Sequence, residues 1–397
     1  MLDFFKNKKD RGQLNSFLGT AIGTGLLYLP LEATQRGFFS FFLSCLIAFP
    51  FAYFSLYLMT RLQMSSKNPL SFNSVITSLV GKRKSVFISL GYFFIFISLL
   101  SGYSKALCQD VFNLVSQQVD YHLLSFFVLG ALVLVVILGE RFILKIMELL
   151  TTPLVIILLL LSVLLIPYWD FSSIWTRSTF NFFDLLKSLF ILVPLICFSI
   201  LYYPTLSSMI LSYREEEESE KIIPLLKLAQ LILSGLVFFF ISSFILALGP
   251  EEISYAQENN ISVIPLIGPK LQGLTRYLAP FIGLAAISSS FIGVFIGARE
   301  GMGGLLEKLI EDRKKRGLVV SLLIFIFLYS VAVVDFRLES LLGLVIVPLL
   351  AFIFFIFVGI LILQKDIVRL KREKIMAAST VIFGLFLLFS YFVGTSL

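Results

Sequence analysis

From Gly19 to Pro30 the chain reads GTAIGTGLLYLP, and the architecture turns on how that stretch is interpreted. Its first seven residues hold three glycines and two threonines. Each interior glycine costs a helix roughly 1 kcal/mol relative to alanine, yet the stretch lies inside the first long apolar run of the chain. A segment long enough to cross a membrane is therefore built to break near its middle.

That the run crosses a membrane follows from composition. Of 397 residues, 58% are hydrophobic and 14% charged, and the mean hydropathy is +0.96. Soluble globular domains carry nearer a quarter charged residues. Apolar runs recur along the whole length, each sufficient for a helix across a ~30 Å hydrocarbon core. Eleven spans are predicted: 13–34, 37–61, 85–108, 122–139, 142–166, 186–211, 223–248, 275–298, 317–335, 339–363 and 375–394. The connectors leave no room for a separate soluble domain. Residues 1–12 form a basic leader with no small-residue cleavage site after it, so it is expected to be retained.

Orientation follows from lysine and arginine. With a cytoplasmic N-terminus, the leader and the even-numbered connections hold 24 of the 32 basic residues. Six fall on the other side: Arg36, Arg177, Lys187, Lys270, Arg276 and Arg337. The net charge of +7 thus reads as a topology signal rather than a nucleic-acid surface, and the run Glu215 to Glu218 as a solvated cytoplasmic turn. Cys45, Cys108 and Cys197 all fall in or at the ends of spans, where free thiols pack as small apolar groups. The one histidine, His122, has no partner near it in sequence. There is no zinc spacing, P-loop or nucleophile elbow, so neither an enzyme nor a cofactor protein is expected.

Ionisable residues inside spans mark function by default, and few are predicted there. Glu32, Asp335 and Glu339 sit at outer ends, Glu148 and Lys227 near inner ends. Lys105 lies about one turn inside the outer end of the third span. It reads either as a snorkelling lysine or as a charge that gates or couples transport. Without a mid-membrane carboxylate, no proton relay of that kind is expected.

The remaining signal is interrupted helices, tolerated in lipid only where the unwound backbone lines a protein cavity. GTAIGTG offers one break. CFSILYYPTLSS, in the sixth span, offers another, because Pro204 lacks an amide hydrogen and disfavours helical geometry in Tyr203. Five spans apart and oppositely oriented, the two breaks fit an inverted repeat of five plus five helices. Freed amides at a helix N-terminus suit an anion such as a carboxylate, and freed carbonyls suit a cation.

With these motifs in place, the chain resembles the hydroxy and aromatic amino acid permeases, especially the bacterial serine and threonine transporters, within the amino acid–polyamine–organocation superfamily. The resemblance rests on GTAIGTGLLYLP, FSILYYPTLSS, NNISVI in the following outer loop and SSSFIGVFIGAREGMGGL from the eighth span onward. It implies an all-α membrane protein of the LeuT type: spans one to five (13–166) and six to ten (186–363) as inverted halves, with 375–394 peripheral. It also implies cation-driven amino acid uptake across the bacterial inner membrane, N-terminus cytoplasmic and C-terminus outside. Carried onto this chain, it places the substrate carboxylate on the amides of Gly23, Thr24 and Gly25. The ammonium would meet carbonyls around Thr20, Ala21, Phe198 and Ser199. Tyr202, Tyr203, Ser101 and Gly102 would shape the side-chain pocket.

The eighth span departs from the serine branch. That branch has a lysine followed by serine, then a histidine after the next glycine; here the positions are Ser289, Ser290 and Val294, and SSFIGV looks more like the aromatic branch. Ala286, Ser289 and Ser290 stand at i, i+3, i+4, on one helix face. In sodium-coupled carriers of the LeuT type that face supplies a carbonyl and two hydroxyls to a sodium ion, with carbonyls equivalent to Gly19 and Ile22. The reading is a symporter of a small neutral hydroxy amino acid coupled to Na+ or H+, with no other cofactor. The alternatives are an aromatic amino acid permease of the same fold, and, from another class, a passive channel or a non-transporting sensor. Oligomeric state is not readable from the sequence.

Overall fold

The structure, a computed structural model, describes residues 3–66, 71–115, 119–172, 174, 181–258, 263–271, 273–307, 309–334 and 345–394. Several residues singled out above lie outside them: Lys67, Arg177, Asn259 to Ser262 of NNISVI, Lys308, Asp335, Arg337 and Glu339. Among the described residues every regular element is helical. In chain order those longer than one turn are α1 (Lys8–Ala21), α2 (Thr24–Met64), α3 (Phe72–Val80), α4 (Lys82–Val115), α5 (Tyr121–Ile137), α6 (Glu140–Leu164), α7 (Phe182–Ser199) and α8 (Tyr203–Glu215). They continue as α9 (Ile222–Ala247), α10 (Pro250–Glu258), α11 (Thr275–Leu305), α12 (Arg313–Val333), α13 (Val345–Gln364) and α14 (Lys371–Gly394).

Nine helical stretches among the described residues are long and apolar enough to cross a bilayer, while Tyr121–Ile137 is apolar but shorter. α2 has 41 residues, about 60 Å at 1.5 Å per residue, twice the thickness of a hydrocarbon core. It does not run straight. Gly37 has φ 81° and ψ 162°, a left-handed conformation that residues with a Cβ rarely adopt. The helix is kinked there, at the first residue of the predicted second span.

The helices pack in a consistent order. α1 lies against α6 and α11, α2 against α7 and α9, and α11 along α4 for much of its length. α14 covers α7 and α13 from outside. Close approach of α11 to its neighbours is permitted by glycine: a Cβ on Gly297 would stand 2.8 Å from Phe96 and Pro204, and one on Gly304 2.1 Å from Asn73 Nδ2. Small residues serve this purpose commonly in membrane helices, and it accounts for the spacing of SSSFIGVFIGAREGMGGL. Cys45, Cys108 and Cys197 are free and buried.

The helix ends carry more chemistry than the sequence reading assigned them. α11, expected to stop at residue 298, runs two turns further to Leu305. That extension places Glu300 where its carboxylate accepts from the Phe72 amide, opening α3, and from the Tyr92 hydroxyl of α4 at 3.3 Å. Asn73 donates to the Gly301 carbonyl at 2.9 Å, so α3 is pinned to α11 at two points. At the same end of the molecule α1 starts at Lys8, inside the expected leader. Buried Asp10 accepts from Tyr213 of α8 at 2.6 Å, and Arg11 pairs with Glu148 of α6 at 2.6 Å. Lys9 reaches Glu216 at 2.8 Å, so the acidic turn after α8 is paired as well as solvated. At the start of α12, the Asp312 carboxylate accepts from the Lys315 amide at 2.7 Å, a cap that holds its pKa below the usual value.

Candidate functional site

Both expected breaks are present, and they face each other. In the first, Ile22 (φ −78°, ψ 80°) ends α1 and Gly23 (φ −112°, ψ −164°) precedes α2. The Gly23 amide turns to the Ala21 carbonyl at 2.9 Å instead of reaching Gly19. Gly23 has no side chain to cap α2, so the amides of Thr24 and Gly25 belong to the uncapped first turn of a helix. The Gly19 and Thr20 carbonyls, released by the same turn, accept from the Ser290 hydroxyl of α11 at 3.0 and 3.2 Å.

The second break falls one turn earlier than Pro204 suggested. α7 ends at Ser199, Ile200 (φ −118°, ψ 15°) and Tyr202 (φ −136°, ψ 37°) leave helical geometry, and α8 restarts at Tyr203. Pro204 therefore opens a helix rather than interrupting one, which is where its fixed φ and missing donor are tolerated best. The Tyr202 carbonyl, which opens α8, accepts from the Thr205 amide at 3.2 Å and from the Thr205 hydroxyl at 3.0 Å.

Between the breaks lies a cavity of about 380 Å³. Thr20, Ala21, Gly23 and Gly25 line it from the first break, and Phe198, Ser199 and Tyr203 from the second. It shares Tyr28, Leu99, Tyr103 and Ile346 with a larger vestibule of about 820 Å³ on the side away from the α1 N-terminus. Lys105 and Gly102 line that vestibule, together with Asp110 and Asn113. The Thr24 side chain lies outside the described atoms.

Two expected pocket residues point elsewhere. Tyr202 is fully buried, stacks on Phe17 with ring centroids 4.5 Å apart and donates to the Leu226 carbonyl at 3.2 Å. Tyr203, the next residue, takes the position facing the cavity. Ser101 is also buried, and its hydroxyl returns to the Ile97 carbonyl at 2.8 Å. In its place α4 presents Phe96, Leu99 and Tyr103, a face at helical spacing that hydropathy could not tell from lipid-facing or core faces. α13 contributes Ile346, Leu350 and Phe354. Phe354 falls in a π-helical segment, Ala351–Phe357, a distortion frequent at functional sites and invisible in the run AFIFFIF.

Tyr203 is held rather than free. Its hydroxyl bonds to Ser55, which also donates to the Phe354 carbonyl at 3.2 Å, and its ring stacks on Phe354 at 3.9 Å. Tyr203→Phe keeps the stack and removes one net hydrogen bond, worth about 1 kcal/mol. A small fall in melting temperature with ligand affinity unchanged within about twofold is the expected result. A large loss of affinity would make the hydroxyl a direct ligand.

Of the cation residues read from the sequence, Gly19, Ala286, Ser289 and Ser290 come together. Ser289 donates to the Ala286 carbonyl at 3.2 Å, and Ser290 carries the hydrogen bonds to Gly19 and Thr20 given above. Gly19 has to be glycine: a Cβ there would stand 2.2 Å from Thr151 Oγ1 and 3.0 Å from Ser289 Cβ. A Cβ on Gly293 would likewise meet Thr20 Oγ1 at 2.0 Å. Three helices thus meet backbone to side chain around a set of carbonyl and hydroxyl oxygens. Among the described residues no cluster of three His, Cys, Asp or Glu is present.

Two broken helices line one cavity in a bundle whose described residues form only helices, an arrangement that suits a carrier-type permease. The chain belongs to the tryptophan/tyrosine permease family, which it matches over residues 15–364. It is 31% identical over 324 residues to the serine transporter SdaC of Escherichia coli strain K12, covering 78% of this chain and 75% of that one. Among solved structures it is similar to Mhp1, a nucleobase-cation-symport-1 family transporter in a closed conformation with bromovinylhydantoin bound. That match has a TM-score of 0.61 at 13% identity and covers 96% of this chain and 89% of the other. MhsT in complex with L-phenylalanine aligns with a TM-score of 0.57 at 14% identity, over 96% and 98% of the two chains. The fold is therefore the LeuT type, and the chain is a multi-pass membrane transporter.

Proposed function

We propose that this chain is a secondary active transporter that takes up a small neutral hydroxy amino acid, serine or threonine, together with a cation. The observation that carries the reading is the pair of breaks on one cavity. A zwitterion needs an anion site and a cation site a few ångströms apart. The uncapped amides of Thr24 and Gly25 offer the first without a charged side chain, and carbonyls near Thr20, Ala21, Phe198 and Ser199 offer the second. The 31% identity to a serine transporter supports the substrate. The family description and the SSFIGV stretch support the aromatic alternative, and competition by the twenty amino acids against bound label separates the two.

In this reading the halves are residues 13–166 and 186–363, with 375–394 peripheral. α1 and the start of α2, as far as Gly37, make the first crossing, the rest of α2 makes the second, and the crossings number eleven. The N-terminus is cytoplasmic, as the lysine and arginine asymmetry indicates, and the membrane is the bacterial inner one, as the family resemblance implies. The vestibule then faces outward. The Lys9, Asp10 and Arg11 pairs close the opposite side and have to part for release. Transport follows if cation and amino acid each bind better with the other present, a linkage typically worth 1–3 kcal/mol.

The coupling ion in this reading is Na+, held by the carbonyls of Gly19, Ile22 and Ala286 and the hydroxyls of Ser289 and Ser290. The donor set fits: neutral hard oxygens converge there, and Ser289 stands where the serine branch carries a lysine. When bound, the ion supplies one positive charge beside the first break and draws α1 and α11 together. Radiolabelled L-serine flux into proteoliposomes is expected to rise with an inward sodium gradient. Equal flux with neither, either or both of the sodium and proton gradients would remove the coupled-carrier reading. Ser289→Ala is expected to raise the sodium concentration for half-maximal uptake by about tenfold, the loss of roughly 1.4 kcal/mol. An unchanged value retires the site.

A further inference from the structure

We infer that Thr151 of α6 contributes its hydroxyl to the cation site, so that three helices rather than two hold a monovalent alkali cation. The inference rests on the sodium reading above and adds a ligand to it. Thr151 is fully buried, and its Oγ1 has no hydrogen-bond partner. Buried hydroxyls in these helices ordinarily return to a carbonyl one turn back: Thr20 bonds to Ser16 at 2.6 Å, Thr34 to Pro30 at 2.6 Å and Thr60 to Leu56 at 2.8 Å. The next residue, Thr152, donates to Asn15 Oδ1 at 3.1 Å. Thr151 makes no such bond. Its oxygen instead stands 2.2 Å from the point a Gly19 Cβ would occupy, and Ser289 Cβ is 3.0 Å from that point. An unmet buried hydroxyl is unfavourable unless something in the folded protein uses it. Here it lies against the Gly19 backbone, beside the Ser289 Cβ and next to the residue whose carbonyl accepts from Ser290.

The charge at the site selects the ion. Sites for divalent cations draw on carboxylates. The carboxylate nearest Thr151 in sequence, Glu148, is bound to Arg11 at 2.6 Å, and Glu140 accepts from Gln13 at 2.8 Å. A set made only of carbonyls and hydroxyls matches one positive charge. A cation takes a lone pair of Oγ1 and leaves the hydroxyl proton free to turn to the Met147 carbonyl, one helical turn back.

The test is ²²Na⁺ binding to the purified full-length protein in detergent, comparing wild type with Thr151→Val and Thr151→Ser. Valine keeps the shape and deletes the hydroxyl; serine keeps the hydroxyl. Valine is expected to weaken ²²Na⁺ affinity by about fivefold or more, and serine to hold it within about twofold of wild type. The sodium-free melting temperature of Thr151→Val should equal or exceed that of wild type, because an unsatisfied buried group has been removed. The rise in melting temperature on adding sodium, present in wild type, should shrink in the variant. Wild-type ²²Na⁺ affinity in Thr151→Val overturns the inference while leaving the sodium site of Ser289 and Ser290 intact. A lower sodium-free melting temperature in Thr151→Val overturns it too, since the hydroxyl then supports the fold. Wild type that binds L-serine but no ²²Na⁺ overturns the sodium reading itself, and this inference with it.

Discussion

Gly19→Ala is expected to abolish cation-dependent uptake and to lower the melting temperature. The added methyl would stand 2.2 Å from Thr151 Oγ1, 3.0 Å from Ser289 Cβ and 3.1 Å from Met147 Cε. These atoms belong to α6 and α11, two of the helices against which α1 packs, so relief requires separating helices rather than turning one surface side chain. Overpacking of this kind costs typically 1–3 kcal/mol. The same displacement moves the Gly19 carbonyl away from Ser290, which now donates to it at 3.0 Å. Uptake at least about tenfold below wild type follows from losing a single interaction of ordinary strength. Adding Thr151→Ala removes the nearest clash and should recover much of the thermal stability without restoring ion dependence. Normal melting and uptake in Gly19→Ala would mean that the three helices do not meet as closely as described.

The second large effect is at Glu300. Its carboxylate accepts from the Phe72 amide and the Tyr92 hydroxyl, joining α3, α4 and α11 at the end that holds the Lys9, Asp10 and Arg11 pairs. Glu300→Ala leaves both donors without a partner, at about 1–3 kcal/mol for each buried group. A fall of several degrees in melting temperature is expected, with faster proteolysis near α3, whose first turn loses its anchor. Glu300→Gln keeps one carbonyl oxygen and should recover part of the loss. An unaltered melting temperature in Glu300→Ala would show that the carboxylate carries no structural load. The sequence offered little warning. The eighth span was expected to end before Arg299, because charges usually mark the end of a membrane crossing, whereas here the helix continues and uses Glu300 as the acceptor for a neighbouring helix start.

How much was legible differs between the fold and the site. Hydropathy, the lysine and arginine asymmetry and the residues of GTAIGTG are local properties of the chain, and each acts within a few residues. They were enough to place most of the long apolar helices and the first break, but not the short helices α3 and α10 or the kink at Gly37. The family resemblance then supplied the LeuT-type fold and the serine face on α11. What proximity in sequence could not decide was which side chains share a cavity. Tyr202 and Tyr203 are adjacent and chemically identical, yet one packs on Phe17 and the other lines the site, because the register of α8 is set where the break ends. Pro204 marked the right neighbourhood but starts a helix there.

By itself the amino-acid sequence determined a multi-pass helical membrane protein, two interrupted spans and a hydroxyl-bearing face on the eighth, since helix length, glycine content and residue spacing are fixed along the chain. Only the tertiary structure decided that Thr151 meets Gly19 and Ser289, that Phe354 closes over Tyr203, and that Glu300 holds α3. Those relations join residues on helices far apart in sequence, and packing three helices against one another selects which of their faces meet.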